Sequence, residues 1–171
     1  MPPRKTSRLA RIDELLTAIV MVSLLLILVV YVPSDWPRSY YGQARVIDGD
    51  SLVVGVVQTR LRGIDAPERD QVCLLDRKPW PCGEAATSAL RELVAGRQVS
   101  CDGAGRDAYD RVLADCRVGD RELNREMVAR GFAVAYGAYS AEEATARAEG
   151  LGLWASEFDR PEEWRRLHAG S

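Results

Sequence analysis

One histidine, His168, occurs in the 171 residues, and the four cysteines include no C-x-x-C pair. Zinc therefore lacks a ligand set, and histidine-dependent hydrolysis is excluded, leaving carboxylates and arginines to carry any acid, base or charge-stabilising role. Excess positive charge is missing too. Formal net charge is −2, and because residues 1–14 hold Arg4, Lys5, Arg8 and Arg11 against Asp13 and Glu14, everything after them carries −4. That balance excludes a broadly basic surface, whose lysines and arginines would release counterions from phosphates, so contact with nucleic acid has to come from a local basic cleft. Neither an internal repeat nor a low-complexity tract is present, which excludes solenoids and disordered arrays. What remains is one domain of ordinary size, with a 47% hydrophobic content sufficient for a core.

Part of that apolar content is one run. Residues 15–32 are apolar but for Thr17 and Ser23 and follow the four cationic residues, a length at the lower end of what spans a bilayer. Cationic flanks stay inside, so the expected arrangement is a single-pass signal anchor in the cytoplasmic (inner) membrane. Residues 1–14 would be cytoplasmic, and the rest periplasmic or extracellular. A cleaved signal peptide and a buried soluble helix are the competing readings. After the run, residues 33–41 read as a linker with prolines and interface aromatics, residues 42–165 as the folded domain and residues 166–171 as a tail.

Outside the cytoplasm an even cysteine count reads as disulfides. The local pairings Cys73 with Cys82 and Cys101 with Cys116 are favoured, because a hairpin of residues 97–103 and 110–118 sets the second pair about opposite each other. Strands are expected over 43–47, 51–57 and 58–64, with a turn or bulge at Gly55. Helices are expected over 84–95, 120–130 and 141–150, the first from its apolar spacing and closing Gly96. Leu151 to Trp154 and Pro161 to Trp164 read as a tail pinning aromatics on the domain. Strands, a helix, a hairpin and further helices predict an α+β fold: a five-stranded OB-fold barrel capped by three helices.

Chemistry gathers at two strand ends, Val46-Ile47-Asp48-Gly49-Asp50-Ser51 and Arg60-Leu61-Arg62-Gly63-Ile64-Asp65-Ala66-Pro67-Glu68. Asp50, Asp65 and Glu68 can share a hard divalent cation and an attacking water, while Arg60 holds a phosphoryl group as negative charge builds on it. Structural roles compete. Asp48-Gly49-Asp50 also suits a tight turn, Arg111 can pair with Asp107 or Asp110, and Tyr136 and Tyr139 serve equally for base stacking or packing. Trp154 and Trp164 read as anchors and His168 as solvated.

With Asp107-Ala108-Tyr109-Asp110-Arg111, Glu122-Leu123-Asn124, Met127-Val128, Gly131 and Gly152-Leu153-Trp154 added, residues 42–165 resemble a staphylococcal-nuclease-like thermonuclease. The resemblance implies a five-stranded barrel with three helices, bound Ca2+, and hydrolysis of DNA or RNA to 3′-phosphate ends. It implies that Asp50, Asp65 and the carbonyl of Ala66 ligate calcium, that Glu68 orients or deprotonates water, and that Arg60 and Arg111 clamp phosphoryl oxygens. Tyr109 would contact a nucleotide of a single-stranded DNA or RNA substrate. No protein partner is evident. Three residues depart from the pattern: Asp110 stands for the usual glycine, Ala108 for a basic residue and Ala66 for a threonine. They leave room for the rival reading, a catalytically weak or inactive barrel that binds nucleic acid or a protein partner.

Overall fold

A computed structural model describes the backbone of residues 8–31 and 39–168, with side chains described over 12–27 and 39–168. The chain divides into two units, residues 1–36 and 37–171. In the first, helix α1 (Arg8–Tyr31) carries exposed apolar side chains such as Leu15, Val20 and Leu26. Among the described residues no helix is long and apolar enough to cross a membrane. The expected transmembrane helix is therefore not supported by the fold; its end, Val32, lies outside the described residues, as do residues 1–7.

In the second unit, alternating apolar residues turn inward along β1 (Ser39–Val46), β2 (Ser51–Val54) and β3 (Val57–Leu61). The short β4 (Ile64–Asp65) follows, then a small hairpin of β5 (Cys73–Leu75) and β6 (Lys78–Trp80). Helix α2 (Cys82–Val94) leads into β7 (Gln98–Arg106), β8 (Val112–Val118) and β9 (Arg121–Glu122). The chain ends with α3 (Leu123–Ala129), β10 (Val134–Ala135), α4 (Ser140–Ala148), a 3-10 turn (Gly152–Ala155) and α5 (Pro161–His168).

The sheet order β3-β2-β1-β7-β8 is closed by a parallel pairing of β3 with β8, which makes a five-stranded barrel of OB type. Closure removes both sheet edges and fixes which rim receives each strand end. Leu52, Val54, Leu61, Val99 and Ala114 fill the interior, and α2 and α3 cover it with Leu90, Leu93, Leu123 and Met127. A smaller cluster forms around Cys73, Cys82, Val134 and Leu153, against Trp80, Trp154 and Phe158.

Both expected disulfides are formed, Cys73 with Cys82 and Cys101 with Cys116. Cys101 and Cys116 face each other in the β7 and β8 register. Other expectations are corrected. Ser39, Tyr40 and Tyr41 are strand rather than linker, because they pair with Asp102, Cys101 and Ser100 of β7. Ile64 and Asp65 leave β3 to pair with β10, and α3 starts at Leu123 because Arg121 and Glu122 pair back on β8. Among the described residues the domain has four helices instead of three, since the presumed tail from Pro161 forms α5, through His168 and past the expected domain end at 165.

Asn124 locks α3 to the barrel. Fully buried, it accepts from the Cys116 N–H at 3.0 Å and donates to the carbonyls of Arg62 and Ala114 at 2.9 and 3.0 Å. Asn124→Ala would leave the Cys116 N–H without this acceptor and take one donor from each of the Arg62 and Ala114 carbonyls, the latter keeping the Arg62 N–H at 2.9 Å, so a loss of about 1–3 kcal/mol is expected in denaturant unfolding. A loss under about 0.5 kcal/mol would show that the amide is not a structural lock.

Candidate active site

The turn from β1 to β2 is shaped by its own side chain. Ile47 and Asp48 donate their N–H groups to the Ser51 carbonyl, and Asp48 Oδ1 accepts from the Asp50 N–H at 3.1 Å. Gly49 is required by close approach, because a Cβ there would lie 2.7 Å from Ala66 Cβ and 2.9 Å from Ala86 Cβ. Asp50 is thereby driven to 3% exposure against the loop after β4. Its carboxylate accepts from the Ala66 N–H at 3.0 Å and from Ser51 Oγ at 3.0 Å, and pairs with Arg60 Nη2 at 2.9 Å.

Arg60 stands opposite Ser51 in the β2 and β3 pair, so its position follows from strand register. The same Nη2 reaches Asp65 Oδ1 at 2.7 Å. Asp65, also 3% exposed, is held by the pairing of β4 with Val134. Asp50, Arg60, Asp65 and Ala66 are thus brought together at one rim.

Glu68 lies on the next loop, packed beneath the start of α2: a Cβ on Gly83 would meet the Glu68 carbonyl oxygen at 1.8 Å. Its carboxylate does not join the other two around a common point. Among the described residues, no group of three or more Asp, Glu, His or Cys side chains is placed to hold a metal, which corrects the expectation that three carboxylates share one ion. Arg165 of α5 bridges two of them instead. Its Nη1 bonds Glu68 Oε1 at 2.8 Å and Asp65 Oδ1 at 3.0 Å, and its Nη2 bonds Asp65 Oδ2 at 3.0 Å. The remaining donors, two carboxylates and the backbone oxygen of Ala66, are hard oxygens, and two guanidinium groups already occupy cation positions beside them. That chemistry fits calcium completed by water.

The second expected arginine comes from the loop between β7 and β8. Asp107 organises that loop by accepting from the N–H groups of Tyr109 and Arg111 and from Arg111 Nε at 2.7 Å. The pairing of Arg111 with Asp107 is therefore real, yet it aims rather than sequesters the guanidinium. Nη1 still reaches Ser51 Oγ at 3.1 Å, and Ser51 donates onward to Asp50. Ser51 thus links the arginine loop to the carboxylates, a role its motif position did not disclose. Asp110 takes the left-handed backbone conformation, φ 64°, that the family's glycine supplies freely. Arg106 holds it there, bonding its carbonyl at 2.6 Å and its carboxylate at 3.1 Å.

Arg60, Asp65, Glu68, Tyr109, Arg111 and Tyr136 line one groove of ≈ 1110 Å³. Tyr109 and Tyr136 are mostly exposed there, and the Arg111 guanidinium lies 5.4 Å from the Tyr109 ring centre. Tyr139 is different. Half-buried against the core, it donates to Glu122 at 2.6 Å, and burial followed by that acceptor raises its hydroxyl pKa. Gln71 was not anticipated either. Fully buried, it accepts from the Glu68 N–H at 3.3 Å and donates to the Asp159 carbonyl at 2.8 Å, tying the Glu68 loop to the approach to α5.

A closed barrel whose rim sets carboxylates beside arginines defines a phosphodiester-hydrolase class of site. Residues 58–156 match the family described as Staphylococcal nuclease homologue. The chain belongs to that family. It is 39% identical over 121 residues to a succinoglycan biosynthesis protein, ExoI, of Rhizobium meliloti, covering 66% of this chain and 63% of that protein. An uncharacterized endonuclease of Haemophilus influenzae is 32% identical over 160 residues, with 86% of this chain and 85% of the relative covered. Another, from Escherichia coli, is 33% identical over 149 residues, covering 78% and 91%. The chain spans just under two thirds of the first of these relatives.

Burial pushes the Asp50 carboxyl up to about 7; Arg60 opposes the shift, while Asp48 adds to it. An unfolded aspartate titrates near ~4. The folded state therefore keeps a proton that the unfolded chain has lost, and this group's stabilising contribution, complete below about pH 4, disappears as the pH rises through about 7. Asp50→Asn has no charge to bury. In chelator, its melting temperature relative to the parent is expected to rise between about pH 4 and 7.5, and a flat difference would show that Asp50 titrates as an ordinary carboxyl.

Proposed function

We propose that the domain is a calcium-dependent nuclease that hydrolyses DNA or RNA phosphodiester bonds and leaves 3′-phosphate ends. The observation that carries this reading is the contact between Arg60 and both Asp50 and Asp65, joined through Ser51 to Arg111. Calcium, held by Asp50, Asp65 and the Ala66 carbonyl, would supply Lewis-acid stabilisation of phosphoryl charge.

The chain's own groups do the rest. Arg60 spends only Nη2 on the two carboxylates, and a guanidinium has five donors, so it retains hydrogen bonds for a phosphoryl oxygen in the groove. Arg111, aimed by Asp107, approaches from the other side, and two such donors stabilise the charge that accumulates in the transition state. Glu68, partly solvent-accessible, takes the proton of the attacking water. Tyr109 and Tyr136 offer exposed ring faces to the bases of a single-stranded substrate.

A binding module with weak or no catalysis is the second reading. Asp110, exposed beside the phosphate clamp, and the −4 charge after residue 14 support it by opposing polyanion affinity.

Localisation is part of the proposal. An apolar run after a basic segment, and apolar side chains exposed along α1, favour tethering through residues 15–32 to the lipid bilayer of the inner membrane, with the domain on its outer side.

The oxidised protein is expected to cleave single-stranded DNA in calcium but not in chelator, giving 3′-phosphate ends. Arg60→Ala and Glu68→Ala should each lower kcat by about 10²- to 10³-fold. Folded protein that binds oligonucleotide without cutting it would establish the binding module instead. For the tether, protease added to spheroplasts expressing the chain should remove the domain and leave the extreme N-terminus protected. A domain that stays intact until lysis would refute export.

A further inference from the structure

Arg165 lies nine residues beyond the family match, which ends at residue 156, yet it makes three of the hydrogen bonds on the site's carboxylates. Pro161 is the fully buried residue of α5, Leu167 is 64% exposed, and Trp164 stacks on His168 of the same helix, ring centres 4.2 Å apart. The segment before α5 is fastened more firmly: Glu157 exchanges two 2.9 Å backbone hydrogen bonds with Leu74, and Asp159 accepts from Gln71. The helix is thus hinged at a fixed base, and its polar grip on the rim runs through Arg165.

Two of the three bonds in this grip fall on Asp65, a carboxylate that the calcium reading also uses. A guanidinium engaging both oxygens of Asp65 and one of Glu68 neutralises them much as a hard ion would. The guanidinium side chain is 39% exposed, so water and salt reach the pair and its net worth stays modest, which lets an ion displace it. While the pair stands, the Glu68 carboxylate is committed as an acceptor to Arg165 instead of to water.

We infer that Arg165 is a built-in competitor for the divalent cation: it occupies Asp65 and Glu68 in the metal-free protein, and metal binding displaces it, releasing α5 and freeing Glu68. This rests on the calcium reading above. The consequences are a weaker metal affinity than the bare carboxylates would give and a groove that opens when the ion arrives. Glu162 and Arg165 both line that groove, so displacement of α5 changes its wall.

The test uses the full chain and calcium alone, without nucleic acid. By calorimetry Arg165→Ala should bind calcium about five- to tenfold more tightly than the parent, the ratio set by losing a competitor worth about 1 kcal/mol. Arg62→Ala is the control for bulk charge, since Arg62 lines the same groove but pairs with Asp115; it should change affinity less than about twofold. Deuterium uptake over residues 161–168 of the parent should rise on adding calcium. Affinity in Arg165→Ala no greater than in Arg62→Ala, or uptake that is unchanged or slowed by calcium, overturns the competitor while leaving the nuclease reading standing. If neither the parent nor Arg165→Ala binds calcium, both fall.

Discussion

The buried carboxylate of Asp50 is the constraint from which the site follows. A carboxylate at 3% exposure is costly in a low-dielectric surrounding unless it is hydrogen-bonded and paired. Each compensating group comes from a different segment: the Ala66 N–H from the loop after β4, Arg60 from β3, and Ser51 from its own strand. Satisfying Asp50 therefore assembles the rim. The barrel makes this possible because the tight turn between β2 and β3 sets Arg60 opposite Ser51, and β3 then closes on β8.

Around that carboxylate the charges interlock. Arg60 lies between Asp50 and Asp65, Arg165 between Asp65 and Glu68, and Arg111 between Asp107 and Ser51. These three arginines are each held in place, and the acidic total of the domain does not describe the groove. Preorganised guanidinium groups act on a phosphoryl group without the entropy cost of ordering free side chains, which suits a site working by charge stabilisation rather than by covalent chemistry. If calcium binds as proposed, the same network would set the balance between metal and arginine at Asp65, where both would seek the same oxygens.

How far the sequence disclosed this depends on separation along the chain. Asp50, Arg60, Asp65 and Glu68 were legible because two short motifs at strand ends hold all four, and strand periodicity placed those ends together. Cys101 and Cys116 were legible for the same reason, as hairpin register is a local property. Asp110 was read correctly as a glycine position, since positive φ is a demand of the turn itself. Arg165 was not legible. It sits 100 residues from Asp65 in a segment that reads as a charged tail, and its bonds depend on where a short helix docks after the barrel is closed. Gln71 was hidden likewise, because an uncharged residue in a disulfide loop gives no pattern until its partners Glu68 and Asp159 converge on it.

The residues around the two motifs set the character of the groove. Asp110 and Ala108 put a negative and a neutral side chain in the loop that carries Arg111, and Ala108 lines the groove. Arg106 and Arg165 add positive charge, but each is committed: Arg106 to holding Asp110 in its strained turn, and Arg165 to the carboxylates. A phosphate entering the groove meets Arg60 and Arg111 without the neighbouring cations that would draw in long polyanions from a distance, because such steering grows with net positive field. Under the proposed nuclease reading, recognition would rest on the short-range fork contacts of two arginines and on the exposed rings of Tyr109 and Tyr136 rather than on a long-range field.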